Sequence, residues 1–184
     1  MALRHGFKAE ANRLAVQMRR ELGLGPASPL APSRLAKHLM IPVRMFSSAI
    51  ADDPRIERLL TTEREAVSAL TVHAGSRRQI WVNDSHDMGR QNSSASHEIA
   101  HALLIHPPGP ALDVRGCRHW DGDIEEEADW LAGSLLITNE AAWSIARSAL
   151  SPEAAMFRFG VSRRMLTWRM NMSGASARRD RSAS

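Results

Sequence analysis

His97, Glu98 and His101 stand in the run His97-Glu98-Ile99-Ala100-His101. On a helix, residues four apart lie on one face, so the two imidazoles can converge on one metal ion with the Glu98 carboxylate beside them. This HExxH spacing points to zinc-dependent peptide hydrolysis, in which the metal activates a water and the glutamate takes its proton. A catalytic zinc uses three protein ligands and keeps a fourth position for water, so the chain must supply one more.

A third histidine six residues beyond His101, with glycine three beyond, would define the metzincin pattern. Pro107 and Leu104 occupy those positions and exclude it. Cys117 is the only cysteine, which rules out a cysteine-based zinc site and an internal disulfide and leaves an incidental free thiol. An acidic pair offers the alternative. Glu125 and Asp129 lie four apart, so one helix face can present a carboxylate ligand and a second carboxylate that orients a ligand histidine through its other nitrogen. Glu127 is the rival third ligand, and the run Glu125-Glu126-Glu127 also suits the positive end of a helix dipole. His106, His119, Asp113, Asp121 and Asp123 lie in or beside the preceding loop, where placement is less rigid. The chain has no tyrosine. Stabilising an oxyanion therefore falls to His106, His119 or an arginine.

Rigid elements must carry these groups. Asp84 or Ser85 can cap a helix that runs into the HExxH segment and on to His106, where Pro107-Pro108 stops it. Ile99, Ala100, Leu103 and Leu104 give that helix a buried side. A second helix, capped by Asp123 and spanning residues 124–136, carries the stripe Ala128, Leu131, Ala132 and Leu135. Upstream, residues 66–73 and 79–83 read as strands joined through residues 74–78. Either an edge strand beside the zinc helix offers its backbone to an extended peptide, or the strand is an ordinary paired one. The N-terminal part reads as scaffold: an amphipathic helix over residues 7–22, a short helix capped by Ser33 and running to Leu39, a strand over residues 41–46, and a loop with one helical turn over residues 52–65.

Beyond a helix over residues 141–150, Pro152 and Gly160 bracket another, and Ser162 caps a last one through Met172. Helix, turn and a basic helix with Arg163, Arg164 and Arg169 make a helix-turn-helix-like pattern that would contact DNA. Met165, Leu166, Trp168 and Met170 are apolar for a recognition helix and favour packing or docking of a protein partner instead. The expected fold is α+β: a zincin-like, mostly helical domain over residues 1–150 with a small sheet beside the HExxH helix. A helix-turn-helix-like extension over residues 151–172 and a disordered basic tail over 173–184 follow.

Length and composition agree with one domain and a small appendage: 184 residues, 43% of them hydrophobic. No run of about 18 apolar residues suggests a membrane span, and the first ten residues lack the apolar stretch of a signal peptide, so a cytoplasmic location is expected. The net charge of +4 is uneven, −1 over residues 1–150 and +5 over residues 151–184. A basic end attracts nucleic acid or an acidic partner when it is not simply solvated.

Three stretches carry a family likeness: Arg90-Gln91, the run from His97 through His106 to Pro107, and Glu125-Glu126-Glu127-Ala128-Asp129-Trp130-Leu131-Ala132 with the Leu135-Leu136 pair. With them the chain resembles the ImmA/IrrE family of metallo-endopeptidases, and weaker similarity spans most of residues 8–172. The resemblance implies zinc held by His97, His101 and Glu125, with Glu98 as the base. It also implies cleavage of a helix-turn-helix repressor and release of the genes that the repressor silences. Ala100 replaces the glycine usual before the second histidine, Ile137-Thr138-Asn139 replaces Met-Pro, and residues 92–96 are more polar than is usual. The length matches the minimal form without an added sensor domain. The competing expectation is a non-proteolytic regulator with structural zinc, whose basic end binds DNA or a repressor.

Overall fold

The computed structural model describes residues 3–75, 77–107, 122–148 and 150–177. Cys117, His119, Asp113 and Asp121 lie outside these residues. Helix α1 (Phe7–Glu21) buries Phe7, Ala11, Ala15 and Met18, a spacing of three and four that turns one stripe to the core. Helix α2 (Pro32–His38) starts one residue earlier than expected. Pro32 takes the first turn, where a missing N–H costs nothing, so Ala31 and not Ser33 is the N-cap. Strand β1 (Val43–Met45) is shorter than expected because Phe46–Ala49 coil into a 3-10 turn. Helix α3 (Ile56–Leu60) is the single helical element of the charged loop.

Strands β2 (Ala69–Ala74) and β3 (Arg77–Val82) follow, with Gly75 at φ 61 in the left-handed conformation that a tight hairpin turn needs. The sheet order is β1-β3-β2, with β3 parallel to β1 and antiparallel to β2. Strand β2 is thus an edge, and among the described residues one side of its backbone has no strand partner. Ile80 and Val82 alternate onto the buried face of β3.

Five longer helices follow: α4 (Met88–Leu103), α5 (Gly122–Leu136), α6 (Asn139–Arg147), α7 (Pro152–Phe159) and, after the Gly160 turn, α8 (Arg163–Met172). The main core joins α1, α2, the sheet, α4 and α5 through Phe7, Leu35, Ile80, Ile99, Leu131 and Leu135. The result is a mostly helical α+β zincin-like domain. A second core gathers Leu136, Ile137, Ile145, Phe159, Leu166 and Met170. Helix α6 therefore shares its packing with α7 and α8, and the boundary expected at residues 150/151 separates no packing unit. The first part of the stretch expected to be a disordered tail is packed instead. Ala175 is fully buried in the second core and Trp143 Nε1 donates to Ser173 O at 3.0 Å, while residues 178–184 lie outside the described part.

The end of α5 ties the two cores together. Arg19 from α1 donates to Leu135 O at 2.8 Å and Leu136 O at 3.3 Å, and Arg169 from α8 donates to Ile137 O at 2.8 Å. A helix C-terminus leaves carbonyls without intrahelical partners and carries the negative end of the dipole, so a cation is a fitting cap. Burial pushes each guanidinium down to about 10, well above neutrality, so both stay charged. Arg169, counted from sequence among the basic residues of a DNA-reading helix, is 1% exposed and serves this interior role. Trp168 packs against α5 as well. A Cβ on Gly133 would lie 2.2 Å from its ring.

Candidate metal centre

The helix that bears the HExxH residues is capped by Asp87, not by Asp84 or Ser85: its side chain accepts from Arg90 N at 3.0 Å. The polar stretch ahead of His97 has a packing reason. Asn92 Nδ2 donates to Gly160 O at 2.8 Å, Ser96 is buried, and a Cβ on Gly89 would lie 2.6 Å from Ser162 N. The α7–α8 turn thus seats on the first turns of α4. Ile99 and Ala100 are fully buried against the main core, which leaves His97 and His101 on the side facing α5. Glycine is dispensable at position 100 because a methyl group fits there.

Three side-chain atoms converge between α4 and α5. His97 Nε2 lies 3.1 Å from Glu125 Oε2, His101 Nε2 lies 2.9 Å from His97 Nε2, and His101 Nε2 lies 3.6 Å from the same glutamate oxygen. Tetrahedral zinc with bonds of about 2.0–2.1 Å sets its ligand atoms about 3.3 Å apart, so this triangle has the size such an ion requires. Two imidazoles and one carboxylate are also a donor set suited to zinc. The group His97, His101 and Glu125 can hold a metal ion.

The surroundings sort the other candidates. Asp129 Oδ1 lies 2.9 Å from His97 Nδ1, the nitrogen turned away from the triangle. Glu127 points elsewhere, since residues two apart on a helix face nearly opposite ways. Its Oε1 accepts from Arg4 Nε at 2.7 Å. His106 lies beside His101, Nδ1 to Nδ1 at 2.9 Å. It is not the last residue of the helix, as expected, because α4 ends at Leu103 and Ile105 turns the chain with φ 56. Asp123 lies in the first turn of α5 rather than capping it. Glu98 Oε2 accepts from Thr71 Oγ1 at 2.5 Å, which joins the edge strand β2 to the site. Sequence reasoning missed Thr71; its only signal was a hydroxyl within an alternating strand beside the HExxH helix.

Charge is distributed unequally over the two histidines. Burial alone would lower His97, but its bond to Asp129 and the nearby charges of Asp129, Glu98 and Glu125 outweigh it and raise the imidazole above its ordinary value. Burial, reinforced by His97 and opposed by Glu98, pushes His101 down to about 4. His101 is therefore neutral near pH 7, the form that binds a metal through a lone pair.

Residues 58–171 match the IrrE N-terminal-like domain, a peptidase family. The chain belongs to that family. The matched span of the IrrE N-terminal-like domain runs from α3 through α8, so it contains the edge strand, both histidines, Glu125 and nearly all of the C-terminal helices. A search of curated proteins finds no match. Membership in this peptidase family, together with the His-His-Glu group, makes the protein a metallopeptidase-type domain that acts on protein substrates. Among the described residues no helix is long and apolar enough to cross a membrane.

Proposed function

We propose that the protein is a zinc-dependent endopeptidase of the cytoplasm that cleaves one specific protein, a helix-turn-helix transcriptional repressor, and thereby derepresses its genes. The observation that carries the reading is the His97–His101–Glu125 triangle with Glu98 alongside, inside a peptidase-family domain. His97, His101 and Glu125 are the metal ligands and Asp129 orients His97. Zinc held there would lower the pKa of a water toward neutrality and polarise the peptide carbonyl.

The chain's own groups do the proton work. Glu98 removes the proton from the attacking water and returns it to the amine of the leaving peptide. Thr71 holds one oxygen of Glu98, which leaves the other to face the water. The free edge of β2 suits an extended substrate strand, and such pairing would lay a scissile bond next to the residue that fixes the base. The choice of a repressor as substrate rests on the resemblance to the ImmA/IrrE family. The rival DNA-reading role is weakened by Arg169 on interior carbonyls and Arg163 in an ion pair with Glu153.

Purified protein incubated with a helix-turn-helix repressor encoded beside it tests the reading. Zinc-dependent appearance of two discrete fragments, absent with Glu98→Gln although that variant still holds one zinc, is the expected result. Cleavage retained by Glu98→Gln would remove the base assignment, and no bound zinc in the wild type would remove the peptidase reading.

A further inference from the structure

The turn that ends α4 is strained where helix-ending turns usually are not. Ile105 sits at φ 56 with its side chain 82% exposed. The left-handed region costs an L-residue roughly 1–2 kcal/mol, and glycine or asparagine normally fills this place. The turn brings the next residue back onto the helix. His106 N donates to His101 O at 3.0 Å, and the two rings meet edge to face with centroids 5.0 Å apart.

Two ring nitrogens 2.9 Å apart form a bond only when one carries a proton and the other a lone pair. His101 needs its Nε2 lone pair for the triangle, so neutral His101 carries its proton on Nδ1. His106 then accepts through Nδ1 and carries its own proton on Nε2, the atom 3.7 Å from Glu127 Oε2. Arg4 Nε fixes Glu127 from the other side at 2.7 Å, and Arg4 also pairs with Glu10. The His106 side chain is 9% exposed, so little water competes for these contacts.

We infer that His106 is a positioning residue for His101: it receives the Nδ1 proton, fixing the tautomer and ring plane of that ligand, while the Glu127 carboxylate, itself held by Arg4, faces its other nitrogen. Asp129 does the same for His97, so each histidine has its own support, one from α5 and one from the turn after α4. Both nitrogens of His106 face protein groups, so its geometry favours this role over the oxyanion role expected from sequence. The inference rests on the metal-site reading above.

The test measures Zn2+ affinity of the full chain by competition with a chromophoric chelator, together with the visible spectrum of the Co2+ form and the thermal midpoint of metal-free protein. His106→Ala should weaken Zn2+ binding roughly 10–100-fold and change the Co2+ spectrum. His106→Asn, whose amide oxygen accepts the same proton, should recover most of the affinity. Arg4→Gln, at the exposed end of the chain of contacts, should weaken binding about threefold with the metal-free midpoint nearly unchanged. Zn2+ affinity of His106→Ala within about twofold of wild type overturns the inference. Equal losses in the Ala and Asn variants also overturn it, because packing alone would then explain them. Should His106→Ala not fold, the Asn and Arg4 variants decide. A wild type that binds no Zn2+ removes the metal-site reading and this inference together, whereas a wild type that binds Zn2+ with His106 indifferent removes this inference alone.

Discussion

Thr71 Oγ1 on the edge strand donates to Glu98 Oε2 on the HExxH helix at 2.5 Å. The bond couples the strand suited to hold a substrate to the group suited to move its proton. It also limits the rotamers of Glu98, which is partly buried. Thr71→Val keeps the β-branched shape and removes the donor. A hydrogen bond to a charged group contributes about 1.5–3 kcal/mol, so kcat for peptide cleavage should fall at least tenfold. Zn2+ affinity should stay at the wild-type value. Steady-state kinetics beside a chelator titration checks both, and an unchanged kcat would show that Thr71 does not position the base.

Metal occupancy should appear directly as stability. A ligand present at 100 times its Kd stabilises the folded state by about 2.7 kcal/mol, so saturating Zn2+ should raise the thermal midpoint by several degrees and a chelator should reverse it. His97→Ala and Glu125→Gln should abolish the rise, since each removes a corner of the triangle. Calorimetry with and without Zn2+ measures this. A rise that persists in both variants would place the metal elsewhere.

Gly133 is the contact point between α5 and Trp168, and a Cβ there would lie 2.2 Å from the indole ring. Gly133→Ala forces the ring off Trp130, its edge-to-face neighbour at 5.3 Å. Overpacking of this kind costs about 1–3 kcal/mol. Denaturant unfolding should show that loss with altered tryptophan emission of the native state, and wild-type stability would mean that the helices separate at no cost.

Ile105 holds a left-handed turn without the residue type that adopts it freely. Ile105→Gly relieves the crowding but widens the unfolded ensemble, and the balance favours the folded state by roughly 0.5–1 kcal/mol. Chemical denaturation should therefore show a higher midpoint with an unchanged slope. A lower midpoint would mean that the exposed isoleucine makes contacts beyond those described.

Much of this arrangement is legible in the sequence because local rules dominate it. The spacing of His97 and His101, and of Glu125 and Asp129, survives folding because a helix fixes which residues share a face. The hairpin follows from alternation and Gly75, whereas alternation leaves open whether a strand is an edge, which only the order β1-β3-β2 decides. The unpredicted features depend on long-range contacts or on a broken local rule. Asp87 caps α4 where two earlier residues looked equally suitable, and a helix expected to reach His106 ends three residues sooner in a turn that isoleucine disfavours. Thr71 has no motif. The deepest misreading concerns Arg169, since charge at the surface and charge on interior carbonyls look alike in one dimension.

Arg19 and Arg169 reach the end of α5 from far apart in the chain, one from α1 and one from α8. Cutting the protein before α8 would strand Ile137 O in the interior and remove one of the two cations at the tail of the helix that carries Glu125. The C-terminal helices are consequently not an ornament that can be exchanged for another recognition module. Their loss would loosen the metal corner on α5 from some twelve residues away, along the body of a single helix.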